Sequence, residues 1–142
     1  MNENHFEMLS DLKRLKIPWP ISGGVILTYK CTSECSHCMY ASSPKWPSDW
    51  MSLEFFEKIL IGLGDRIKKY SPKSGVGLNY GLHFTGGEPF LNYELLLNFV
   101  KLSYEYKLCS NFVETNCFWC TDDKIVEERF IELKRSGLGG VL

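Results

Sequence analysis

The sequence predicts an α/β fold, in which strands and helices alternate around a parallel sheet that is either curved as a barrel or open. Three observations support this prediction. Short apolar runs of strand length recur along the chain, segments of helical periodicity lie between them, and turn-forming residues separate the two kinds of segment. Because strict alternation of strand and helix implies βαβ crossovers, the strands are expected to be parallel.

A short amphipathic helix is predicted before the first strand. Apolar residues recur at roughly helical spacing between Glu3 and Lys16, and Pro18 then ends the pattern. We therefore divide the chain into an N-terminal helix and connector that cap the fold, residues 1–22, and a core domain, residues 23–142.

The core begins at Gly23 with the strand GGVILTY. This short apolar run is bounded by glycines and by a cysteine loop, which is typical of a buried parallel strand. The loop that follows extends from Cys31 to Trp50, and long ordered loops in compact domains are usually functional. Ser52 then caps a helix with one apolar face.

Two further helices and three further strands complete the predicted core. The segment LNYGLHFTGG alternates apolar and polar residues, as a half-buried strand does, and Asn92 caps the helix that follows it. The segment NFVET is a third strand, and Thr121 opens a helix that Gly137 ends. The last residues, GGVL, begin a fourth strand.

The composition favours a folded protein of the cytoplasm. Hydrophobic residues make up 44% of the chain, enough for a core, and the formal net charge is -1. This charge balance gives no general reason to expect nucleic acid or a membrane surface as a partner. Because no unbroken apolar run indicates a secretory signal or a membrane span, we expect a cytoplasmic location.

Three of the six cysteines, Cys31, Cys35 and Cys38, lie in one loop directly after the first predicted strand. Without an export signal, clustered thiols indicate metal ligands, and a disulfide framework is the minority interpretation. Thiolates suit iron-sulfur clusters and zinc. Since a [4Fe-4S] cluster held by protein alone usually takes four cysteines, three would leave one iron open to a small molecule. A zinc site completed by His37 or a distant cysteine is the alternative.

Three motifs, found in the expected order, resemble those of the radical SAM superfamily. The spacing C-x3-C-x2-C after the first strand resembles the family's signature loop. The segment Gly86–Pro89 after the second strand resembles its GGE motif, and Glu114–Asn116 is similar to the polar strand end of many members. Each motif lies at the carboxyl end of a predicted strand, the face that holds the active site in barrels of this kind.

The resemblance implies a TIM-barrel-like partial barrel of parallel βα units, with a [4Fe-4S] cluster on Cys31, Cys35 and Cys38. An electron from the reduced cluster would cleave S-adenosylmethionine (SAM) into methionine and a 5'-deoxyadenosyl radical, which abstracts hydrogen from a substrate. A flavodoxin- or ferredoxin-like electron donor is the expected partner. The substrate is not indicated by the residues.

The resemblance also implies a SAM site beside the cluster. The turn after the second strand would contact the methionine amino group through its backbone and the Glu88 side chain, and glycine would allow close approach. The residues at the end of the third strand would bind the cofactor or shape its pocket. The expected cofactor-binding residues are Gly86, Gly87, Glu88, Pro89, Thr115 and Asn116.

The chain is shorter than the core that the resemblance implies. Six βα units should need roughly 190 residues, whereas this chain ends at Leu142 as the fourth strand begins. We therefore expect a fold truncated near the fourth strand, and a fragment, a split-gene half or a subunit that needs a complementing C-terminal chain. Non-catalytic alternatives are an iron-sulfur or zinc-binding interaction module and an inactive gene remnant.

The remaining cysteines permit two interpretations. Cys117 and Cys120 form a C-x2-C pair just after the third strand, which would suit an auxiliary cluster or a redox role. Because an auxiliary cluster needs more thiolates than this pair supplies, buried structural cysteines are the favoured prediction. Cys109 is expected to be a core or surface thiol.

Overall fold

The computed structural model of this chain describes residues 22–70, 81–108 and 111–142. Its centre is a four-stranded parallel sheet in which neighbouring strands follow the order of the sequence, β1-β2-β3-β4. The strands are β1 (Ser22–Thr28), β2 (Gly81–Gly86), β3 (Asn111–Val113) and β4 (Gly140–Val141). The predicted α/β class and parallel sheet are confirmed, whereas the curvature of a barrel stays a prediction.

Three α-helices connect these strands, as predicted. They are α1 (Leu53–Tyr70), α2 (Tyr93–Glu105) and α3 (Asp123–Arg135), and a single 3-10 turn, Pro89–Asn92, precedes α2. The predicted N-terminal helix, the predicted start of the second strand at Leu78 and Cys109 lie outside the described residues.

Side-chain caps fix where the helices begin. Ser52 Oγ accepts a hydrogen bond from the Phe55 N–H at 3.1 Å, and Asn92 Oδ1 accepts one from the Leu95 N–H at 3.2 Å. Both caps were predicted, and each satisfies a backbone donor that the first turn leaves unpaired. Asp122, rather than the preceding threonine, caps α3.

The core lies between the sheet and the helices. Phe84 of β2 packs edge-on against Phe56 of α1 and Phe99 of α2, with ring centroids 5.8 Å and 6.1 Å apart. All three side chains are fully buried. Burial of one such ring contributes roughly 1.5–3 kcal/mol, and paired rings add about 0.5–1.5 kcal/mol. This cluster holds the first two βα units together.

The parallel register places three loops side by side. Val25 of β1 lies opposite Phe84 of β2, which lies opposite Val113 of β3, so the carboxyl ends of these strands meet at one edge of the sheet. The cysteine loop, the Gly86–Pro89 turn and the Glu114–Asn116 segment leave the sheet there. Over the described ranges, no helix is long and apolar enough to cross a bilayer.

Candidate metal centre and cofactor site

The cysteine loop returns to the end of the strand that it leaves. The Cys31 N–H donates to the Ser43 carbonyl at 3.3 Å, and the Ser43 N–H donates to the Tyr29 carbonyl at 3.3 Å. Inside the loop, the Cys38 N–H donates to the Cys35 carbonyl at 3.1 Å. The three predicted ligands therefore lie on a loop that is tied at both ends to the carboxyl end of β1.

Two of the cysteine sulfurs accept hydrogen bonds from the backbone. The Ser33 N–H donates to Cys31 Sγ and the Ser42 N–H donates to Cys38 Sγ, both at 3.4 Å. The Ser42 N–H lowers the pKa of the Cys38 thiol. Since the thiolate is the form that binds metals, and hydrogen bonds to sulfur tune iron-sulfur clusters, these donors suit a ligand loop.

All three cysteines border one cavity of about 180 Å³. The other residues around it are Ser33, His37, Ser42, Gly86, Gly87 and Asn116. Within the part of the chain that the structure describes, no three His, Cys, Asp or Glu side chains are already arranged to hold a metal ion. The fit to a cluster therefore rests on the type of donor and on the shared cavity, and not on a preformed ligand geometry.

The two glycines after β2 allow the chain to pass close to the end of β1. The Gly87 N–H donates to the Thr28 carbonyl at 2.7 Å, and the Glu88 N–H donates to the Lys30 carbonyl at 2.9 Å. A Cβ atom on Gly86 would overlap the Thr28 oxygen, and one on Gly87 would overlap the Lys30 oxygen. Gly86 also has a φ of +122°, which favours glycine. The structure thus requires both glycines for packing within the chain.

Substitution of Gly87 by alanine should destabilise the fold. The added methyl group meets backbone rather than a movable side chain, so the end of β1 must shift, and overpacking of this kind costs about 1–3 kcal/mol. Gly62 in α1 is the matched control because its added Cβ would meet nothing within 4 Å. Urea unfolding should show that Gly62→Ala stabilises the protein by about 0.5–1 kcal/mol. Equal effects of the two variants would contradict this account.

Glu88 is a buried carboxylate that holds neighbouring turns together. Its side chain is fully buried. Oε1 accepts from the Phe90 N–H and from Thr115 Oγ1, each at 2.9 Å, and Oε2 accepts from the Asn116 N–H at 2.8 Å. Both oxygens are thus used within the protein. The predicted contact with the methionine amino group stays a prediction, and the described position makes Glu88 a positioning residue.

Asn116 connects the end of β3 to the cysteine loop. Its side-chain Nδ2 donates to Thr32 Oγ1 at 2.9 Å and to Ser33 Oγ at 3.3 Å, and lies 3.6 Å from Cys31 Sγ. The Glu88 carboxylate accepts a hydrogen bond from the Asn116 backbone N–H and so fixes the position of this backbone. The Asn116 side-chain amide then points toward the cysteine loop. The structure therefore brings all three sequence motifs into contact at this residue, through its backbone N–H on Glu88 and its side-chain amide on the cysteine loop.

A second cavity, of about 250 Å³, adjoins the first along the Gly86–Gly87 backbone. Gly86, Gly87 and Asn116 border both cavities, whereas Thr115 borders only the second. Among the other predicted cofactor-binding residues, Glu88 is buried, and Pro89 is buried at the start of the 3-10 turn. The described structure thus places four of the six predicted cofactor residues at the cavities.

Glu114 is the acidic residue of the second cavity, and the sequence analysis gave it no role of its own. Its Oε2 accepts a hydrogen bond from Thr85 Oγ1, and its Oε1 lies 3.6 Å from His83 Nε2. The carboxylate is partly exposed and borders the cavity together with Thr85 and Tyr40. Its place as the first residue after a parallel strand, inside the recognised motif, was the signal that could have identified it.

The prediction that Cys117 and Cys120 are buried is wrong. Both are exposed, and neither borders the two cavities. The reason is that Trp119 takes the inward position of this turn, with 5% of its surface exposed and its ring stacked on Phe90 at a centroid distance of 4.2 Å. With the tryptophan side chain inside, the two smaller thiols face outward.

Comparison with known proteins identifies the family of this chain. A family model described as a 4Fe-4S single cluster domain matches residues 23–132, which include all three motifs. The chain therefore belongs to the 4Fe-4S single cluster domain family, and its predicted relationship to the radical SAM superfamily is confirmed.

One relative among curated proteins is YydG of Bacillus subtilis (strain 168), provisionally named as a peptide biosynthesis protein. It is 25% identical over 107 residues, which are 75% of this chain and 30% of that relative. The chain thus spans less than a third of the curated relative that it matches.

Proposed function

We propose that this chain binds a [4Fe-4S] cluster through Cys31, Cys35 and Cys38 and SAM in the adjoining cavity, as the cofactor-binding part of a radical SAM enzyme. The observation that supports this most directly is the pair of adjoining cavities, one bordered by three thiols and the other by a carboxylate. Together their volumes fall within the roughly 300–1,000 Å³ usual for small-molecule sites.

The chemistry of each cavity indicates which of the two cofactors it would bind. The three thiolates would hold three irons, and backbone N–H groups would stabilise the Cys31 and Cys38 sulfurs. The Glu114 carboxylate would attract the ammonium group of SAM, since opposite charges within a partly enclosed site attract more strongly than in water. Asn116 borders both cavities and would help to fix the position of SAM relative to the cluster.

When bound, the reduced cluster would supply the electron that cleaves the sulfonium bond of SAM and yields the radical that abstracts substrate hydrogen. The chain's own contribution is to hold, orient and partly enclose the two cofactors. The partial barrel implied by the motifs would be completed by further βα units, from the same polypeptide or from a complementing chain.

The proposed partners follow from this chemistry. A flavodoxin- or ferredoxin-like donor would approach the cysteine loop, where Cys35 is exposed. A peptide is the substrate class that we propose, because the name of the relative concerns peptide biosynthesis.

Electron paramagnetic resonance after anaerobic reconstitution tests the proposal. We expect a reduced [4Fe-4S] signal that shifts when SAM is added. Glu114→Gln should keep the signal but need roughly 10- to 100-fold more SAM for the shift, since a hydrogen bond to a charged group contributes about 1.5–3 kcal/mol. Glu127→Gln, an exposed change on α3, should match the wild type.

Two results would contradict the proposal. A colourless protein with one bound zinc would favour an interaction module stabilised by zinc. A cluster signal that does not change when SAM is added would favour a non-catalytic iron-sulfur module.

A further inference from the structure

The turn after β3 presents two exposed thiols at a separation that allows a disulfide. The Cys120 N–H donates to the Cys117 carbonyl at 3.0 Å, which closes a four-residue turn. A turn of this kind keeps its first and last Cα atoms within about 7 Å, and disulfides join Cα atoms roughly 4.4–6.8 Å apart. Both side chains are exposed, so an oxidant or a reductant can reach them.

Two local hydrogen bonds and one buried side chain hold the turn. The Cys117 N–H donates to Thr115 Oγ1 at 3.1 Å, and the Phe118 N–H donates to Asn116 Oδ1 at 3.1 Å. Cys117 has a φ of +58°, uncommon for a residue other than glycine, and these bonds hold it there. Trp119 anchors the turn in the core through its contact with Phe90. Little conformational freedom is thus left to lose when the two sulfurs join.

The two thiols also lie within hydrogen-bonding distance of each other. The pKa of the Cys120 thiol is raised, first because the thiol is partly desolvated and second because it forms a hydrogen bond with the Cys117 side chain. Two thiols are also fewer than the three or four protein ligands that metal sites of this kind take. Geometry and accessibility therefore favour thiol–disulfide exchange over metal binding.

We propose that Cys117 and Cys120 form a redox-active dithiol–disulfide couple, distinct from the three cluster cysteines. A C-x2-C pair within a βα fold is typical of such chemistry. The oxidant is a low-molecular-weight disulfide. One thiolate attacks a sulfur of that disulfide and expels a thiolate, and the second cysteine then attacks the mixed disulfide and expels the other half. The two cysteines lose two electrons and two protons, and the oxidant leaves as two thiols.

The test is to equilibrate the full chain, reconstituted and anaerobic, with mixtures of reduced and oxidised glutathione. After acid quenching and alkylation, peptide mapping by mass spectrometry reports the state of each cysteine. We expect Cys117 and Cys120 to convert together from two alkylated thiols to one internal disulfide, with little glutathione adduct. Cys117→Ser and Cys120→Ser should each lose the disulfide and accumulate a glutathione adduct on the remaining cysteine.

Either of two outcomes would overturn this proposal. One is independent glutathionylation of both cysteines in the wild type, and the other is pairing of either one with Cys31, Cys35 or Cys38. The double variant Cys117→Ser/Cys120→Ser should keep the iron-sulfur colour. Loss of the couple is therefore separable from failure of the proposed cluster site.

Discussion

Replacing Cys38 with alanine should remove almost all iron-sulfur absorption from the reconstituted chain. Removal of an outer-shell partner already weakens metal sites about 10- to 100-fold, so loss of a ligand should lower cluster affinity by more than about 100-fold. Cys38 is the informative choice because its sulfur accepts the Ser42 N–H and its thiol pKa is lowered by that bond. Bound iron and sulfide per chain, together with the visible spectrum, measure the effect.

A matched cysteine control separates ligation from general thiol loss. Cys120→Ala removes an exposed thiol that borders neither cavity and should leave iron, sulfide and colour unchanged. Unfolding in urea should show that both variants are folded, because neither side chain belongs to the apolar core. Full colour in Cys38→Ala, or equal loss in the two variants, would refute the assignment of the ligand loop.

Glu88→Ala should lower the free energy of unfolding by about 3–4 kcal/mol. The change leaves three donors without their acceptor, and an unsatisfied buried donor costs about 1–3 kcal/mol, less where water can reach it. It also frees the Asn116 backbone, so the contact between the Asn116 amide and the cysteine loop should loosen. Urea unfolding measures the stability, and the amount of SAM needed for the spectroscopic shift measures the loosening.

Two further variants make this expectation specific. Glu88→Gln keeps one acceptor oxygen but turns an NH2 group toward one of the three donors. The decrease in the free energy of unfolding should therefore be smaller than that of Glu88→Ala. Glu127→Ala removes an exposed carboxylate from α3 and should change stability by no more than about 0.5 kcal/mol. If Glu88→Ala were as mild as Glu127→Ala, the carboxylate would not be what holds the turns together.

Some features were predictable because their cause is local. The capping side chains of Ser52 and Asn92, the apolar period of the helices and the short apolar run of β1 all act within a few residues. The alternation of elements then implied a parallel sheet, and a parallel sheet places successive strand ends at one edge. For these reasons the fold class and the neighbourhood of the three motifs followed from the chain alone.

Other features depended on contacts between residues distant in sequence. Whether a glycine serves a ligand or the chain itself depends on which atoms approach it, and here the Thr28 and Lys30 carbonyls lie against Gly86 and Gly87. Whether Glu88 faces a cavity or the interior depends on Thr115 and Asn116, which lie more than two dozen residues further on.

The sequence by itself determined the α/β class and the alternation of strands and helices, because periodicity and turn residues encode them directly, and its motifs predicted the three cysteines of the proposed cluster loop. Only the tertiary structure decided that Glu88 is turned inward, that Glu114 borders the second cavity, and that Cys117 and Cys120 face outward. The physical reason is competition for a limited interior. At each of these positions, the side chain that best fills or satisfies the buried space occupies it, and its neighbours take the surface.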